Sequence, residues 1–493
     1  MVSSRPLSLP ILAFLLFPIF LFSTALPIQD DECSDEPEAA AEAAASPSNS
    51  SISTPSNITT DSNTTTNFQG QFIAGATIGT LLRMEAIPER TFYDYDGVTV
   101  KDPVQLLADA GVNAVRIEGE RGQCLGPTTF VNNASTRADE LLFQLDWGCL
   151  DIQVKTAVQA VAQGMRVVLT INQGFTVPKE LESLSYPDMI ENVQTEAKRQ
   201  LQPFLDAKVL PDVILLENEG SDGILYIEES TGHVRGTKDN KASTDTIDKE
   251  LCGQIPTGNM VSYPQLSGYY KAEILACNAA ITAAGYSTDT VRYGLHSHGQ
   301  YVQWKEGIVH GPNPPSESEL KDSAGNACGG AQVIPPDILA QNASQLLTIA
   351  GFSAYPDPMT PTDINSAGSQ KATLDRLQKT LTQLQGYAEA YGKYEDGPFA
   401  GQYKLQGLGV EYATAYHDTE VAQEQALTEL MWQTVKGYSA FLGMLWYEPF
   451  YVYGDWEGGL ASLMRKTGSG DVSGEVPTDM LKTWGEAAVS PWK

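Results

Sequence analysis

Short apolar runs alternate with amphipathic segments along the chain from residue 68 onward. Short apolar runs are typical of strands in a parallel sheet, and apolar residues at helical spacing are typical of helices packed on it. The pattern predicts eight strands, at 72–76, 114–117, 166–171, 213–216, 291–295, 347–352, 408–410 and 441–445. It predicts helices at 103–110, 150–162, within 189–207, and at 265–284, 370–391, 419–436 and 479–488. Eight such alternations favour an α/β fold of the (β/α)8 TIM barrel type over an open doubly wound sheet.

Two segments between predicted strands are too polar and too rich in Gly and Pro for the barrel wall. They span 223–263 and 302–335, after strands four and five. On the catalytic face of a barrel, such long insertions would shape a substrate groove. The alternative is that they lie far from any site.

The N-terminal 25 residues differ from the rest of the chain. An apolar run at 7–22 follows Arg5, and small residues at 23–25 follow the run. This order predicts a secretory signal peptide over 1–25, because the run is short for the ~20 residues of a membrane span. A membrane anchor is the alternative. We expect no lipid anchor either, since the C-terminus is polar.

Residues 26–68 have few aromatic residues and many Ser, Thr and acidic residues, so they are predicted to be a disordered tether before a barrel at 69–493. Sequons at Asn49, Asn57 and Asn63 predict glycosylation of an extracellular segment. Export makes disulfides plausible, and we expect Cys124 and Cys149 to pair because they flank one loop.

The charge balance excludes some partners. Lys and Arg total 31 against 61 Asp and Glu, which gives a net charge of −30. Such a surface repels nucleic acid and anionic membranes. It favours neutral ligands such as extracellular polysaccharide, although acidity also serves solubility alone. We expect a monomer.

Two predicted strands are each followed by a Glu. Residues 213–216 precede Glu217, Asn218 and Glu219, and residues 407–410 precede Glu411. Residues just past the carboxyl ends of barrel strands face the mouth, where barrel enzymes do their chemistry. Two Glu from different strands match glycosidic bond cleavage, which uses a proton donor and a nucleophile or base. This chemistry needs no cofactor.

Five segments in order along the chain resemble a known family. They are GATIGTLL at 75–82, AGVNAVR at 110–116, ENEGSDGILY at 217–226, SAYP at 353–356 and WYEP at 446–449. They are similar to motifs of the arabinogalactan endo-β-1,4-galactanases, glycoside hydrolase family 53 in clan A of barrel glycosidases. In the last three segments the family writes Gly-Asn-Glu, Ser-Tyr-Tyr-Pro and Tyr-Trp-Glu-Pro. The resemblance covers about 75–460.

The resemblance implies a secreted retaining endo-glycosidase that hydrolyses β-1,4-galactosidic bonds in galactan or arabinogalactan side chains of cell-wall polysaccharide. Glu219 would be the acid/base and Glu411 the nucleophile, with carboxyls about 5 to 5.5 Å apart. The other predicted site residues contact the nucleophile or the sugar: Arg116, Asn218, His296, His298, Tyr355, Trp446 and Tyr447. The alternatives are a clan A glycosidase for another β-linked wall glycan and a non-catalytic carbohydrate-binding surface protein.

Simpler roles stay open for several of these residues. Glu219 is alternatively a helix cap, and Arg116 alternatively pairs only with Glu118 or Glu120. Tyr355 and Trp446 are alternatively packing residues at the rim. For His296 and His298 the alternative to sugar contact is a metal, but no further His or Cys has zinc-like spacing, so we expect none. Strand alternation predicts that Glu217 turns the same way as Glu219, where it either raises the proton affinity of Glu219 or only forms a salt bridge.

Three positions depart from the family pattern near the bond to be cut. Thr77 replaces an acidic residue, Glu118 replaces the second Arg of the second strand, and Asn172 begins the stretch where the family has His-Tyr-Ser-Asp. The catalytic pair is intact while groups that read the sugar have changed. The departures therefore predict altered substrate choice with unchanged chemistry.

Overall fold

The computed structural model describes residues 72–79, 81, 91–119, 121, 150–174, 177–219, 224–225, 227–228, 234–235, 263–297, 347–353, 367–413, 421–450, 463–467 and 474–489. All of them belong to one compact unit, Asn67–Lys493. The predicted signal peptide, tether and Cys124–Cys149 pair lie outside the described residues, as does most of each predicted insertion. Within the described part of the chain, no helix combines the length and apolar character needed to cross a bilayer.

Eight parallel strands form a closed barrel in sequential order. They are β1 (Ile73–Thr77), β2 (Ala114–Glu118), β3 (Arg166–Ile171), β4 (Val213–Leu216), β5 (Arg292–Ser297), β6 (Leu347–Ser353), β7 (Gln406–Tyr412) and β8 (Phe441–Tyr447). The barrel closes where β1 pairs with β8, from Ile73 opposite Gly443 to Thr77 opposite Tyr447. The predicted (β/α)8 fold is confirmed.

The described helices lie close to the positions predicted from the sequence. They are α1 (Pro103–Asp109), α2 (Leu150–Ala162), α3 (Tyr186–Asp206), α4 (Tyr263–Ala283), α5 (Ala367–Tyr391), α6 (Val421–Lys436) and α7 (Asp479–Val489). Local sequence sets their starts, since Asp102 caps α1 and Ser185 caps α3 by accepting backbone N–H bonds. The last helix is tied to the barrel because the Trp484 indole N–H donates to the Gly75 carbonyl at 2.8 Å. Two further strand pairs are antiparallel: Ile227–Glu228 pairs with Val234–Arg235, and Met464–Thr467 pairs with Gly474–Pro477.

Strand alternation separates two layers of apolar side chains. One cluster fills the barrel interior and comprises Ile73, Ala114, Val168, Val213, Leu215, Ile349, Leu408, Val410 and Leu445. The intervening strand residues pack outward in the larger cluster shared with the helices. A Cβ on Gly443 would lie 2.0 Å from the Ile73 carbonyl oxygen, so this close approach of β8 to β1 requires glycine. Towards the carboxyl ends of the strands the inward positions become polar, as at Arg116 and Thr170.

A β-bulge in β7 changes this alternation next to the site. Gly409 pairs with Met444 and Tyr412 pairs with Trp446, so three steps along β7 match two along β8. Because of the extra residue, Val410 lies in the barrel interior and yet the next side chain, Glu411, reaches the interior arginine Arg116. Bulges next to active sites re-aim side chains in this way.

Candidate active site

Arg116 is the centre of the polar cluster at the barrel mouth. Its side chain is fully buried, and its guanidinium reaches residues of four strands or strand ends. Nε donates to Thr170 Oγ1 at 2.9 Å, Nη1 donates to Glu411 Oε1 at 2.9 Å, and Nη2 donates to Asn218 Oδ1 at 2.6 Å. Nη1 also forms a 2.7 Å ion pair with Glu118. Arg116 therefore binds the predicted nucleophile and Glu118 together, so it does not pair with Glu118 alone.

Two neighbouring carboxyl groups raise the pKa of Arg116. Burial opposes the guanidinium charge, but the carboxylates of Glu118 and Glu411 outweigh burial and raise the pKa of Arg116. The Glu411 carboxylate in turn receives a charged hydrogen bond inside the barrel. Such a bond fixes the orientation of the carboxyl group, which a nucleophile needs.

Glu219 and Glu411 lie together, as predicted. One carboxylate oxygen of each, with a ring nitrogen of His296, lies within 4.8 Å of the other two. Ser353 Oγ bridges the pair, at 2.5 Å from Glu219 Oε1 and 3.4 Å from Glu411 Oε2. Oxygens this close are compatible with the retaining arrangement, in which the two carboxyl groups lie about 5 to 5.5 Å apart.

The two carboxyls differ in their surroundings. Burial, followed by the charge of Glu411, raises the pKa of Glu219 from 4.5 to about 8. Glu219 therefore keeps its proton near neutral pH, as a general acid must. Glu411 instead has the guanidinium of Arg116 against it. An acid that keeps its proton, beside a second carboxyl group that is bound to a cation, suits the acid and nucleophile roles.

His296 occupies a different position from the one predicted. Its ring is buried, with Nδ1 at 2.9 Å from Asn218 Oδ1 and 3.2 Å from the Glu219 backbone N, and Nε2 at 2.9 Å from Ser353 Oγ. Both ring nitrogens are engaged by protein groups, so the prediction of direct sugar contact by His296 is wrong. The histidine instead contacts the Glu219 backbone and the Ser353 hydroxyl that binds the Glu219 carboxyl. The Asn218 oxygen faces Arg116 and His296, so its predicted sugar contact, which stays a prediction, would come from the amide nitrogen.

The aromatic pair at the end of β8 corrects a second prediction. Trp446 is 0% exposed and packs edge-on against Tyr412 and Trp484, at ring-centroid distances of 5.4 and 5.2 Å. It faces the helices and offers no surface to a sugar, so its predicted role is wrong. Tyr447 faces the mouth instead, and burial followed by the charge of Glu411 raises its pKa well above the usual value. Strand alternation could have predicted that Trp446 faces outward and Tyr447 inward, because Leu445 lies in the barrel interior.

Glu217 does not face Glu219, which is a third correction. Its φ of +67° is left-handed. The side chain is directed away from the barrel mouth, towards α4. There the fully buried carboxyl accepts the Gln173 backbone N–H at 2.6 Å and lies near Glu273. The charges acting on Glu219 are those of Glu411, Arg116 and Glu118. Sequence periodicity fails here because a left-handed residue breaks the alternation.

Two further predicted residues, His298 and Tyr355, lie outside the described residues. The residues that sequence reasoning missed are Ser353 and Thr170, which face inward on β6 and β3. Their positions on the inward-facing side of strand ends could have marked them, because Ile349 and Gly351 precede Ser353 on the same face.

Among the described residues, Glu219, His296 and Glu411 form a group with metal-like spacing. However, Arg116 already binds Glu411 Oε1 at 2.9 Å and Ser353 binds Glu219 Oε1 at 2.5 Å. A divalent cation would meet a buried guanidinium next to its proposed ligand. We therefore assign no metal to this group.

Removing the central cation is expected to destabilise the fold. Arg116→Gln leaves Glu118 and Glu411 buried without their counter-charge, which should lower the free energy of unfolding by about 3 to 5 kcal/mol. Urea unfolding measures this. The matched control is Lys101→Gln, because Lys101 forms similar pairs at the surface with Asp94 and Asp109 and should cost less than about 1 kcal/mol. Equal losses in the two variants would contradict the central role of Arg116.

Stability is expected to fall as the pH rises from about 5 to above 8. Burial raises the pKa of Glu217 to about 8, and burial together with the charge of Glu217 raises the pKa of Glu273 well above its usual value. These acids lose their protons near pH 4.5 when unfolded but hold them when folded, so the folded state binds more protons across this range. The slope is about 1.4 kcal/mol per pH unit for each such group.

Urea midpoints measured between pH 5 and 9 test this slope. Glu273→Gln keeps a similar shape without a titrating proton, so it should flatten the decline. Glu389→Gln, on the exposed face of α5, is the control that should leave the slope unchanged. A wild-type midpoint that does not fall over this range would contradict the protonated state of the Glu217–Glu273 pair.

No protein-family model matches the sequence. A search of curated proteins found no match either. Among solved structures, the catalytic domain of glycoside hydrolase family 53 from Ignisphaera aggregans aligns with a TM-score of 0.50 and 15% identity, over 84% of this chain and 95% of that one. A structure from a study of two fungal β-1,4-galactanases aligns with a TM-score of 0.51 and 14% identity, over 83% and 98%. At this identity the similarity establishes the fold alone. The chain thus has the (β/α)8 barrel fold found in galactanase catalytic domains.

Proposed function

We propose that this chain is a secreted retaining endo-glycosidase that hydrolyses β-1,4-galactosidic bonds in galactan or arabinogalactan side chains of cell-wall polysaccharide. The observation that carries the proposal is the Glu219–Glu411 pair in the barrel mouth, with oxygens within 4.8 Å and opposite surroundings. The barrel shared with galactanase domains supports the same assignment as an analogy of fold.

Each catalytic step follows from these surroundings. The Glu411 carboxylate attacks the anomeric carbon while Glu219 gives its proton to the departing glycosidic oxygen, which forms a glycosyl-enzyme ester. Glu219 is then a carboxylate and takes a proton from the water that attacks this ester, so each carboxyl returns to its starting state. Arg116 holds the Glu411 carboxylate in place through Nη1 at 2.9 Å.

Secretion and a polysaccharide substrate are supported by other parts of the chain. The signal-like segment at 1–25 and the sequons at Asn49, Asn57 and Asn63 suit an exported protein. The net charge of −30 suits a neutral glycan better than an acidic one. The mechanism needs no cofactor.

The three departures have distinct surroundings in the barrel mouth. The Thr77 hydroxyl is buried and has no hydrogen-bond partner among the described residues, at the β1 position opposite Arg116 and Tyr447. Glu118 places an additional carboxylate on Arg116. Asn172 accepts the Gly174 backbone N–H at 2.8 Å, so its oxygen shapes its own loop. None of the three supplies the group that the family pattern carries.

Activity on plain β-1,4-galactan is therefore expected to be weak. A site that lacks a hydrogen bond to one sugar hydroxyl can lose discrimination by orders of magnitude. We expect kcat/KM on unbranched galactan to be at least about 10-fold below that of a family member with the usual residues, with a decorated or different β-linked glycan preferred. Equal values would show that the substitutions are neutral.

A paired variant tests the cause. Thr77→Asp with Glu118→Arg restores the acid on β1 and the second arginine on β2 together, and should raise galactan activity. Thr77→Asp alone adds a carboxylate opposite Arg116, which already pairs with Glu118 and Glu411, so it should lower activity on every glycan. An unchanged preference in the paired variant would remove these positions as the origin of the substrate difference.

The same departures favour one alternative, a clan A glycosidase for another β-linked wall glycan. A panel of galactan, arabinogalactan and several β-glucans separates it from galactanase activity. A non-catalytic carbohydrate-binding protein would bind a member of the panel without cleaving it. Cleavage that is lost in both Glu219→Gln and Glu411→Gln would support the proposal, and binding without cleavage would contradict it.

A further inference from the structure

The Ser353 hydroxyl is the contact shared by the predicted acid, the predicted nucleophile and His296. Its oxygen lies 2.5 Å from Glu219 Oε1, 2.9 Å from His296 Nε2 and 3.4 Å from Glu411 Oε2. Ser353 itself is buried at the end of β6. One hydroxyl carries a single proton and two acceptor sites, so it cannot donate to all three neighbours. The direction of its bond must depend on which neighbour carries a proton.

The arginine at the centre of the site sets this direction. Arg116 is only a donor, so Asn218 Oδ1, at 2.6 Å from Nη2, is an acceptor. His296 Nδ1 has two neighbours, the same oxygen at 2.9 Å and the Glu219 backbone N–H at 3.2 Å. The shorter contact, to an oxygen that can only accept, places a proton on Nδ1. In a neutral imidazole Nε2 is then an acceptor, so Ser353 donates to Nε2. The Ser353 oxygen is left to accept the proton of Glu219 across 2.5 Å.

One proton shift along this chain produces the other state. The Glu219 proton passes to Ser353 Oγ while the Ser353 proton passes to His296 Nε2. The products are a Glu219 carboxylate and a His296 imidazolium, with Ser353 now donating to the carboxylate. The O–H bond of Glu219 breaks and an N–H bond forms at His296 Nε2, while at Ser353 one O–H bond breaks as another forms. The net charge of the three side chains is unchanged, and no other reactant is needed.

We propose that Ser353 is a positioning residue that couples Glu219 to His296, so that one hydroxyl supports the acid form and the base form of Glu219 in turn. The proposal rests on the proposed function for the acid/base role of Glu219. The coupling itself is a property of the three side chains. The charged groups that face them are Glu411, Glu118 and Arg116.

The coupling can be measured without any substrate. The chain contains five histidines, so the His296 ring signals in a ¹⁵N NMR titration can be assigned with a His296→Asn variant. Glu219→Gln should change the Nε2 shift and lower the pKa of His296, because it removes the negative partner of the imidazolium. In a Ser353→Ala background we expect less than half of this change, and in a Ser353→Thr background most of it.

The same Glu219→Gln effect in the Ser353→Ala background would overturn the proposal. If Ser353→Ala does not fold, Ser353→Cys supplies a much weaker donor of similar size and should show an intermediate effect. Thr348→Val removes a hydroxyl from the opposite end of β6 and should leave the His296 titration unchanged.

Activity on a cleaved glycan gives a second readout. Ser353→Ala should lower kcat by about 10- to 100-fold, the scale of a lost hydrogen bond to a charged group. The bond from Ser353 favours the Glu219 carboxylate, so its loss should move the alkaline limb of the pH profile upward, and Ser353→Thr should restore both values. If no glycan is cleaved, the proposed function fails while the NMR titration still decides the role of Ser353.

Discussion

Glu411→Gln is expected to lower kcat/KM by about 10⁵-fold or more, the scale on which a hydrolase loses activity without its covalent nucleophile. An amide oxygen is a poor nucleophile, and the amide cannot form the glycosyl-enzyme ester. The fold should survive, because the Gln oxygen can still accept the Arg116 Nη1 bond that now measures 2.9 Å. Initial rates on the best glycan of the panel, with the folded state checked by circular dichroism, measure the effect.

The control for this variant is Glu389→Gln on the exposed face of α5, which should keep full activity. A Glu411→Gln enzyme with more than about one tenth of wild-type activity would contradict the nucleophile assignment. A Glu411→Gly variant with added azide gives a sharper test. An azide that replaces the nucleophile attacks from its side of the sugar, so the product should be the α-glycosyl azide.

Glu219→Gln should lower kcat/KM by about 10² to 10⁴-fold on substrates whose leaving group needs a proton. The pKa of Glu219 is raised to about 8 by burial and the charge of Glu411, so the wild-type carboxyl carries the required proton at neutral pH. A substrate with an acidic phenol as leaving group departs without protonation. For such a substrate kcat/KM should change little, while hydrolysis of the glycosyl-enzyme slows and its ester accumulates.

The difference between the two kinds of leaving group is the diagnostic result for Glu219. Equal losses on both substrates would contradict its role as the acid. The wild-type kcat/KM should also fall as the pH rises through about 8, because Glu219 loses its proton there. In the Glu219→Gln variant this alkaline limb should disappear.

The barrel and most of its element boundaries could be predicted from hydrophobic periodicity alone. β4 matches its predicted range at Val213–Leu216, and α2 matches at Leu150–Ala162. Strand-end reasoning also placed Glu219 and Glu411 in one site, because the carboxyl ends of parallel strands meet at one end of a barrel. This prediction succeeded for Glu411 only with the help of a bulge in β7, which periodicity does not reveal.

The errors have local and long-range causes. The sugar contact predicted for Trp446 rests on its residue type, although alternation from Leu445 turns it outward. Glu217 has a φ of +67°, and the resembled family writes Gly there, a residue that adopts this conformation without strain. The contacts of His296 with Ser353 join positions 57 residues apart, and no spacing in the sequence specifies them.

The stereochemistry of the first product tests the central claim most directly. The claim is that Glu219 and Glu411, with oxygens within 4.8 Å of each other, are the acid/base and nucleophile of a retaining glycosidase. Proton NMR during the first minutes of hydrolysis of the best β-glycan in the panel identifies the anomer released. We predict that the β-anomer forms first and then equilibrates to the mixture. Release of the α-anomer first, or no cleavage of any β-glycan by the wild-type protein, would contradict the account.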